Sequence, residues 1–137
     1  MKIQELFENG AAFQVENAKI HDVSLSFKEH GVLTLNIYIK GEGWGCCFGG
    51  YVLGKGYLGA NEFKGNAAGI EALMQIMNVV GVEDLFEMNG RCIRTVTTGW
   101  GGQIKAIGNL ITDKWFSYEK FFEEVKNRDG KFGKSEN

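Results

Sequence analysis

Thiols, imidazoles and carboxylates are the side chains through which this chain could do chemistry. Its three cysteines and two histidines form no CxxC, HxxxH or HExxH motif, so no metal site is indicated. No serine or cysteine has a recognisable base partner for nucleophilic catalysis. The acidic pairs lie mostly on predicted helix exteriors, where solvated carboxylates are expected. We therefore expect no catalytic residue, no metal and no cofactor, and an enzyme is the weakest functional hypothesis.

Aromatic residues beside glycines are the stronger signal, and they point to binding. Trp44 and Trp100 each stand in a glycine-flanked loop, where an indole is hard to bury. Trp, Tyr and Arg are the usual anchors of protein interfaces. Residues 41–54, including Phe48 and Tyr51, therefore form a predicted partner-binding surface together with the loop tip at Trp100. The alternative is that each indole folds back over its own hairpin.

A small anion site is the second binding candidate. Asn66 precedes a predicted helix, and the unpaired backbone N–H groups at a helix start can hold a phosphate. Arg91 or Arg94, with Lys105 on the neighbouring strand, could add positive charge for a nucleotide. Ordinary helix capping and surface ion pairing are the competing interpretations of these residues.

Composition excludes several classes of protein. The 137 residues are 44% apolar, 12% aromatic and 23% charged, which suits one domain with a real core. A formal charge of −2 gives no support for non-specific nucleic-acid binding. No stretch is apolar enough to span a membrane, and no signal peptide is recognisable. The odd number of cysteines, two of them adjacent, favours free thiols in a reducing cytoplasm.

Two predicted hairpins must position these side chains. Apolar and polar residues alternate over 18–40, which predicts a hairpin. A third strand is predicted at 46–53, where an internal glycine pair indicates a bulge or a weak point. Residues 91–98 and 104–111 are rich in β-branched side chains and predict the second hairpin.

Two helices complete the predicted fold. The first begins after Asn66 and ends at Gly81, and its apolar repeat predicts a largely buried helix. That repeat consists of Ile70, Leu73, Met74, Met77 and Val80. The second helix is amphipathic and begins at Ser117. Trp115 and Phe116, directly before it, are predicted to plug the core.

The element order β-β-β-α-β-β-α predicts an α+β fold with a mainly antiparallel sheet packed on one buried helix. Residues 1–127 are predicted to form this single domain, and residues 128–137 a flexible tail. A small sheet with exposed edges and aromatic loops also favours pairing with a second copy of the chain.

Four segments together resemble a group of small phage and prophage proteins, and the resemblance runs from about residue 18 to 127. They are GEGWGCCFGGYVLG (41–54), IMNVVGVEDL (76–85), GRCIR (90–94) and AIGNLITDKWF (106–116). The group carries the patterns GxGxGFGGY, VGVExWEDL and AIGHxxKDxWF. This chain departs from them at Asn109, where the group has His, and at Phe86, where it has Trp. It also has Cys46 and Cys47 before Phe48.

The resemblance implies a phage or prophage gene product that works in the cytoplasm of a bacterial host. Small phage proteins without catalytic residues often bind host machinery. Extending this role to the present chain is an analogy between classes of gene product, not an argument from chemistry. The first hypothesis is thus a non-catalytic protein that binds and inhibits a host protein, such as a defence-system component (an anti-CRISPR-like or other anti-defence inhibitor). The second is a binder that sequesters a small nucleotide ligand. The third is a phage-encoded enzyme.

Overall fold

Seven strands and three α-helices make up the part of the chain that the computed structural model describes, residues 1–6, 13–29, 31–56, 59–98 and 103–132. The strands are β1 (Gln14–Glu29), β2 (Val32–Gly41), β3 (Trp44–Lys55), β4 (Lys64–Gly65), β5 (Cys92–Thr97), β6 (Ile104–Gly108) and β7 (Trp115–Phe116). The helices are α1 (Ile3–Leu6), α2 (Ala67–Val80) and α3 (Tyr118–Phe132), with a 3-10 turn at Leu85–Met88.

The strands form one antiparallel sheet in the order β4-β3-β2-β1-β5-β6-β7. Helices pack on it, so the predicted α+β fold with a mainly antiparallel sheet is confirmed. Both predicted hairpins are present, as β1–β2 and β5–β6. The sequence did not predict β4 and β7, because a two-residue strand leaves no alternation to detect.

The long strand β1 joins the two halves of the sheet. Its first residues, up to Lys19, pair with β5, and its residues from Lys19 onward pair with β2, so Lys19 has a partner on each side. Ile20 and Asp22 have successive partners on β2, which leaves His21 as an extra residue in a β-bulge. Such a bulge bends and twists a strand. The bulge thus lies where the β5–β7 half of the sheet gives way to the β1–β3 half.

The main core lies between the inner face of the sheet and the helices α2 and α3. Its most deeply buried side chains include Ile20, Ile37, Ile39, Ile76, Ile93, Ile107, Phe116 and Phe121. Trp115 and Phe116 are both 1% exposed, so both are buried as predicted, Phe116 in this core and Trp115 in a second cluster on the outer face. The two side chains point to opposite faces, as neighbours on a strand do.

A second, smaller cluster covers the outer face of β5–β7. It consists of buried Val96, Ala106 and Trp115 with Met1, Ile3, Leu6 and Phe13 packed against them. The backbone of Met1 pairs with Trp115, donating to its carbonyl at 3.1 Å and accepting from its N–H at 2.9 Å. This half of the sheet is thus covered on both faces.

The buried face of helix α2 agrees only in part with the prediction, since Val80 is buried and Leu73 and Met77 pack against the core. Its buried residues are Gly69, Ala72, Ile76, Val79 and Val80, whereas Ile70 and Met74 are exposed. The reason is close packing, because a Cβ on Gly69 would lie 2.6 Å from the carbonyl oxygen of Val52 on β3. Gly69 thus lets the start of the helix approach β3 closely, while Ile76, Val79 and Val80 enter the core further along.

The predicted ends of α2 are confirmed. The side chain of Asn66 accepts hydrogen bonds from the N–H groups of Ala68 and Gly69. Gly81 ends the helix at φ 89°, in the left-handed region that glycine adopts readily.

Helix α3 extends beyond its predicted end. The Ser117 hydroxyl accepts from the N–H of Lys120 at 3.3 Å, so the predicted start is correct. The helix continues to Phe132, so residues 128–132 of the predicted tail are helical, and residues 133–137 lie outside the description. Neither of the longer helices, nor any other helix in the described ranges, is long and apolar enough to cross a bilayer.

Candidate functional site

Trp44, the first predicted anchor, is folded back across its own hairpin. Its indole N–H donates to Glu16 Oε2 at 3.0 Å, so the side chain spans from β3 across β2 to β1. The ring covers Gly41, where a Cβ would collide with it, and it packs against the main core. Trp44 is therefore half-buried, and the expectation that this indole stands free in solvent is wrong.

Phe48 lies in the core and not on the surface. It is 4% exposed, and its ring centroid lies 4.8 Å from that of Tyr118 and 6.4 Å from that of Phe116. It supports the fold and is not available as a contact for a partner. Tyr51 pairs with Leu35 across β2 and β3, but its side chain lies outside the description, as does the whole of Trp100.

Asn66, the first residue of the predicted anion site, is committed to the fold. Its Oδ1 accepts from two N–H groups of α2, and its Nδ2 donates to the carbonyl of Val52 at 3.2 Å. The first turn of α2 lies against β3 at Gly69. These contacts use the donors that a phosphate would need.

The two arginines of the predicted anion site are also engaged elsewhere. Arg91 pairs with Glu87 at 3.6 Å, a half-exposed ion pair four residues apart. Arg94 donates to the carbonyl oxygens of Asn109 and Thr112 at 2.8 and 2.7 Å. Its guanidinium also stacks 4.7 Å above the ring of Trp115. Both residues therefore hold loops in place.

The predicted anion-binding residues are not brought together. Asn66 lies at the start of α2, whereas Arg94 bonds a loop that is fixed to Val79 near the end of the same helix. About 20 Å of helix separates these points. A nucleotide site built from Asn66, Arg91, Arg94 and Lys105 is not formed.

Lys105 instead lines a hollow of about 360 Å³ between β3, β6 and the start of α3. The other charged or reactive groups there are Cys46, Cys47 and Glu119, with Gln103, Ile104, Phe48, Gly49 and Tyr118 completing the wall. No histidine lines this hollow. The described ranges contain no group of three or more His, Cys, Asp or Glu that could hold a metal ion.

The carboxyls with shifted pKa values serve the fold. The pKa of Asp113 is lowered, chiefly because the backbone N–H of Ile3 donates to it, and also because Trp115 Nε1 does. The pKa of Glu71 is lowered chiefly by hydrogen bonds from Arg128, at 2.7 and 2.8 Å, which join α2 to α3. Neither carboxyl lines the Lys105 hollow, so these shifts do not indicate acid–base catalysis there.

Several large apolar side chains stand exposed around the C-terminal half of α2. Met74 on the helix is 64% exposed, Phe86 in the following 3-10 turn is 64% exposed, and Ile111 is 85% exposed. We call these three the α2 apolar residues. Sequence reasoning missed them because it placed Met74 in the core and assigned no role to the other two.

The loop that carries Ile111 is held firmly against α2. Asn109 Nδ2 donates to the carbonyl of Val79 at 2.9 Å and so caps the helix end. Asn109 Oδ1 accepts from the N–H of Ile111 and of the next residue, at 3.0 Å each. Ile111 is therefore exposed on an ordered loop.

Comparisons of the chain with protein-family models, with curated proteins and with solved structures found no match. No matched protein therefore indicates a function for this chain.

Proposed function

We propose that this chain is a non-catalytic binding protein that engages a protein partner through the α2 apolar residues. The observation that carries the proposal is the exposure of Met74, Phe86 and Ile111 around one helix. Large apolar side chains that remain exposed on ordered elements are candidates for contact with a partner. A partner that buries them would remove this apolar area from water, which is the main driving force of association.

The rigidity of the surroundings supports this proposal. Met74 lies on a helix that is capped at both ends, and Ile111 lies on a loop held by Asn109 and Arg94. Because these elements are already ordered, binding would cost little conformational entropy. Preorganised surfaces bind more tightly for that reason.

We further propose a phage or prophage protein that works in the bacterial cytoplasm and inhibits a host defence component. The resemblance of four segments to small phage proteins supports this setting. Cys46, Cys47 and Cys92 all lie in the described residues, and none forms a disulfide, which suits a reducing compartment. The alternative role as a nucleotide binder through Asn66, Arg91, Arg94 and Lys105 is not carried forward, because those residues lie apart.

Phage plating tests this proposal. Bacterial strains that each carry one defence system would be infected with and without expression of the protein. We expect expression to raise the efficiency of plating at least tenfold against one system. The variant M74D/I111D should lose that effect, because two carboxylates would have to be desolvated in the contact.

The control is F63D, which places one carboxylate on an apolar residue that is 65% exposed elsewhere. It should keep full activity. Protection by the double variant equal to that of the wild type, or no protection against any system, would contradict the proposal. The melting temperature of each variant shows that a loss of activity is not a loss of folding.

A further inference from the structure

Within the described ranges, no element packs on the outer face of β1–β3 around Tyr38, in contrast to that of β5–β7. Tyr38 stands at its centre on β2, 42% exposed, and is flanked in register by Asp22 on β1 and Cys47 on β3. A hollow of about 460 Å³ lies around it, lined also by His21, Ile39, Lys40, Gly45 and Cys46. Ligand sites in proteins commonly have volumes in this range.

Two lysines, Lys19 and Lys40, lie on the same face, two residues along β2 from Tyr38. Lys40 lies directly opposite Lys19, which in turn lies opposite Cys92 on β5. Like charges directly opposite each other in a ladder destabilise a sheet. Among the described residues neither lysine forms an ion pair with a carboxylate. An anion between them would relieve this repulsion.

A second hollow, of about 410 Å³, adjoins the lysines. Lys19, Lys40 and Cys92 line it together with Asn17, Glu42 and Leu110. Lys40 lines both hollows, so the two hollows lie on either side of its side chain. Gly45, opposite Lys40, has no side chain, and this leaves space beside the lysine stem.

We propose that this face binds a nucleoside phosphate, with the base stacked on Tyr38 and the phosphate held by Lys40 and Lys19. Tyr38 and Lys40 lie two residues apart on one strand and point to the same side, about 7 Å apart along the strand. A nucleoside monophosphate separates its base from its phosphate by a similar length. Asp22, beside the ring, can accept a hydrogen bond from an exocyclic amino group of the base.

The charge count favours a small nucleotide over a nucleic-acid polymer. Two lysines can neutralise one phosphate group, whereas a polymer needs a longer track of positive charge. Asp22 on the same face would repel the further phosphates of a strand. The site uses none of the α2 apolar residues, although Leu110, which lines the second hollow, directly precedes Ile111. Each proposal is tested by its own variants, so either can fail alone.

Titration of the ¹⁵N-labelled protein with AMP and with GMP tests the inference by NMR. We expect a dissociation constant below about 1 mM. The shifted amide signals should be confined to Tyr38, Lys40 and their cross-strand partners on β1 and β3. Replacing Tyr38 by Thr should weaken binding about tenfold, since one base stacked on an aromatic ring contributes that order. Lys40→Gln should weaken binding about as much.

Lys126→Gln, an exposed lysine on α3, is the matched control and should leave binding unchanged. Three results would overturn the inference: no shifts at 5 mM nucleotide, equal shifts with inorganic phosphate alone, or tighter binding of a ten-residue oligothymidylate than of AMP. If Tyr38→Thr does not fold, the shift map of the wild-type protein decides the question.

Discussion

The two halves of the sheet, β1–β3 and β5–β7, belong to one antiparallel sheet but differ in what packs on their outer faces. The β5–β7 half is packed on both faces, by the helices inside and by α1 and Phe13 outside. In the described part of the chain, the β1–β3 half is packed on its inner face alone, and Tyr38 and Lys40 are exposed on the other. The residue types that usually signal function, Arg94 and Trp115, lie in the covered half and hold it together.

This difference shows that a side chain's partners, more than its type, decide its role. Arg94 reaches over Gly108 to stack on Trp115, and a Cβ on Gly108 would collide with that ring. Tyr38 and Lys40 belong to an ordinary alternating strand, but among the described residues no element lies over them. The candidates for binding are therefore the residues that the fold does not use.

The largest predicted effect contrasts one aromatic residue from each half. Trp115→Ala should lower the free energy of unfolding by about 3–5 kcal/mol, because it opens a cavity beneath Arg94. Tyr38→Ala should lower it by less than about 1 kcal/mol, since Tyr38 is 42% exposed and its loss opens no enclosed cavity. Urea unfolding measures both. Equal losses would show that the outer face of β1–β3 is covered after all.

A pair of glycines on neighbouring strands gives the intermediate effect. Gly41→Ala should cost about 1–3 kcal/mol, because the new methyl group collides with the ring of Trp44. Gly45→Ala should be neutral or slightly stabilising, since its nearest neighbours would be at ordinary contact distances of 3.7 and 3.9 Å. If both variants unfold at the same urea concentration, Trp44 does not lie across β2.

The smallest effect is a pH dependence at the edge of the covered half. The lowered pKa of Asp113 means that its contacts with Ile3 and Trp115 contribute stability above the usual aspartate pKa, about 3.9. That contribution is lost as the pH falls through the lowered value. The Ile3 amide signal should move as Asp113 titrates. In Asp113→Asn the Ile3 amide signal should no longer move at acid pH. If it still moves, Asp113 is not the group that titrates beside Ile3.

Local patterns predicted the parts of the fold that depend on local physics. Alternation located the long strands, Asn66 and Gly81 marked the ends of α2, and Trp115 with Phe116 was recognised as core. The buried face of α2 was predicted only in part, because apolar residues occupy several sides of the helix and the close approach of Gly69 to Val52 is a non-local contact.

The candidate site was harder to predict because its determinants are non-local. Trp44 is held by Glu16, 28 residues away, and Arg94 by carbonyls 15 and 18 residues away. No spacing rule contains such contacts. Exposure of Ile111 depends on a hydrogen bond from Asn109 to the end of α2, which the sequence does not reveal either.

Direct binding to the defence component identified by plating is the most decisive measurement. Calorimetric titration should give a defined complex with the wild-type protein and with F63D. The M74D/I111D variant should bind at least tenfold more weakly at an unchanged melting temperature. Equal affinity of the double variant and the wild type would contradict the claim that exposed apolar residues around α2 make the contact.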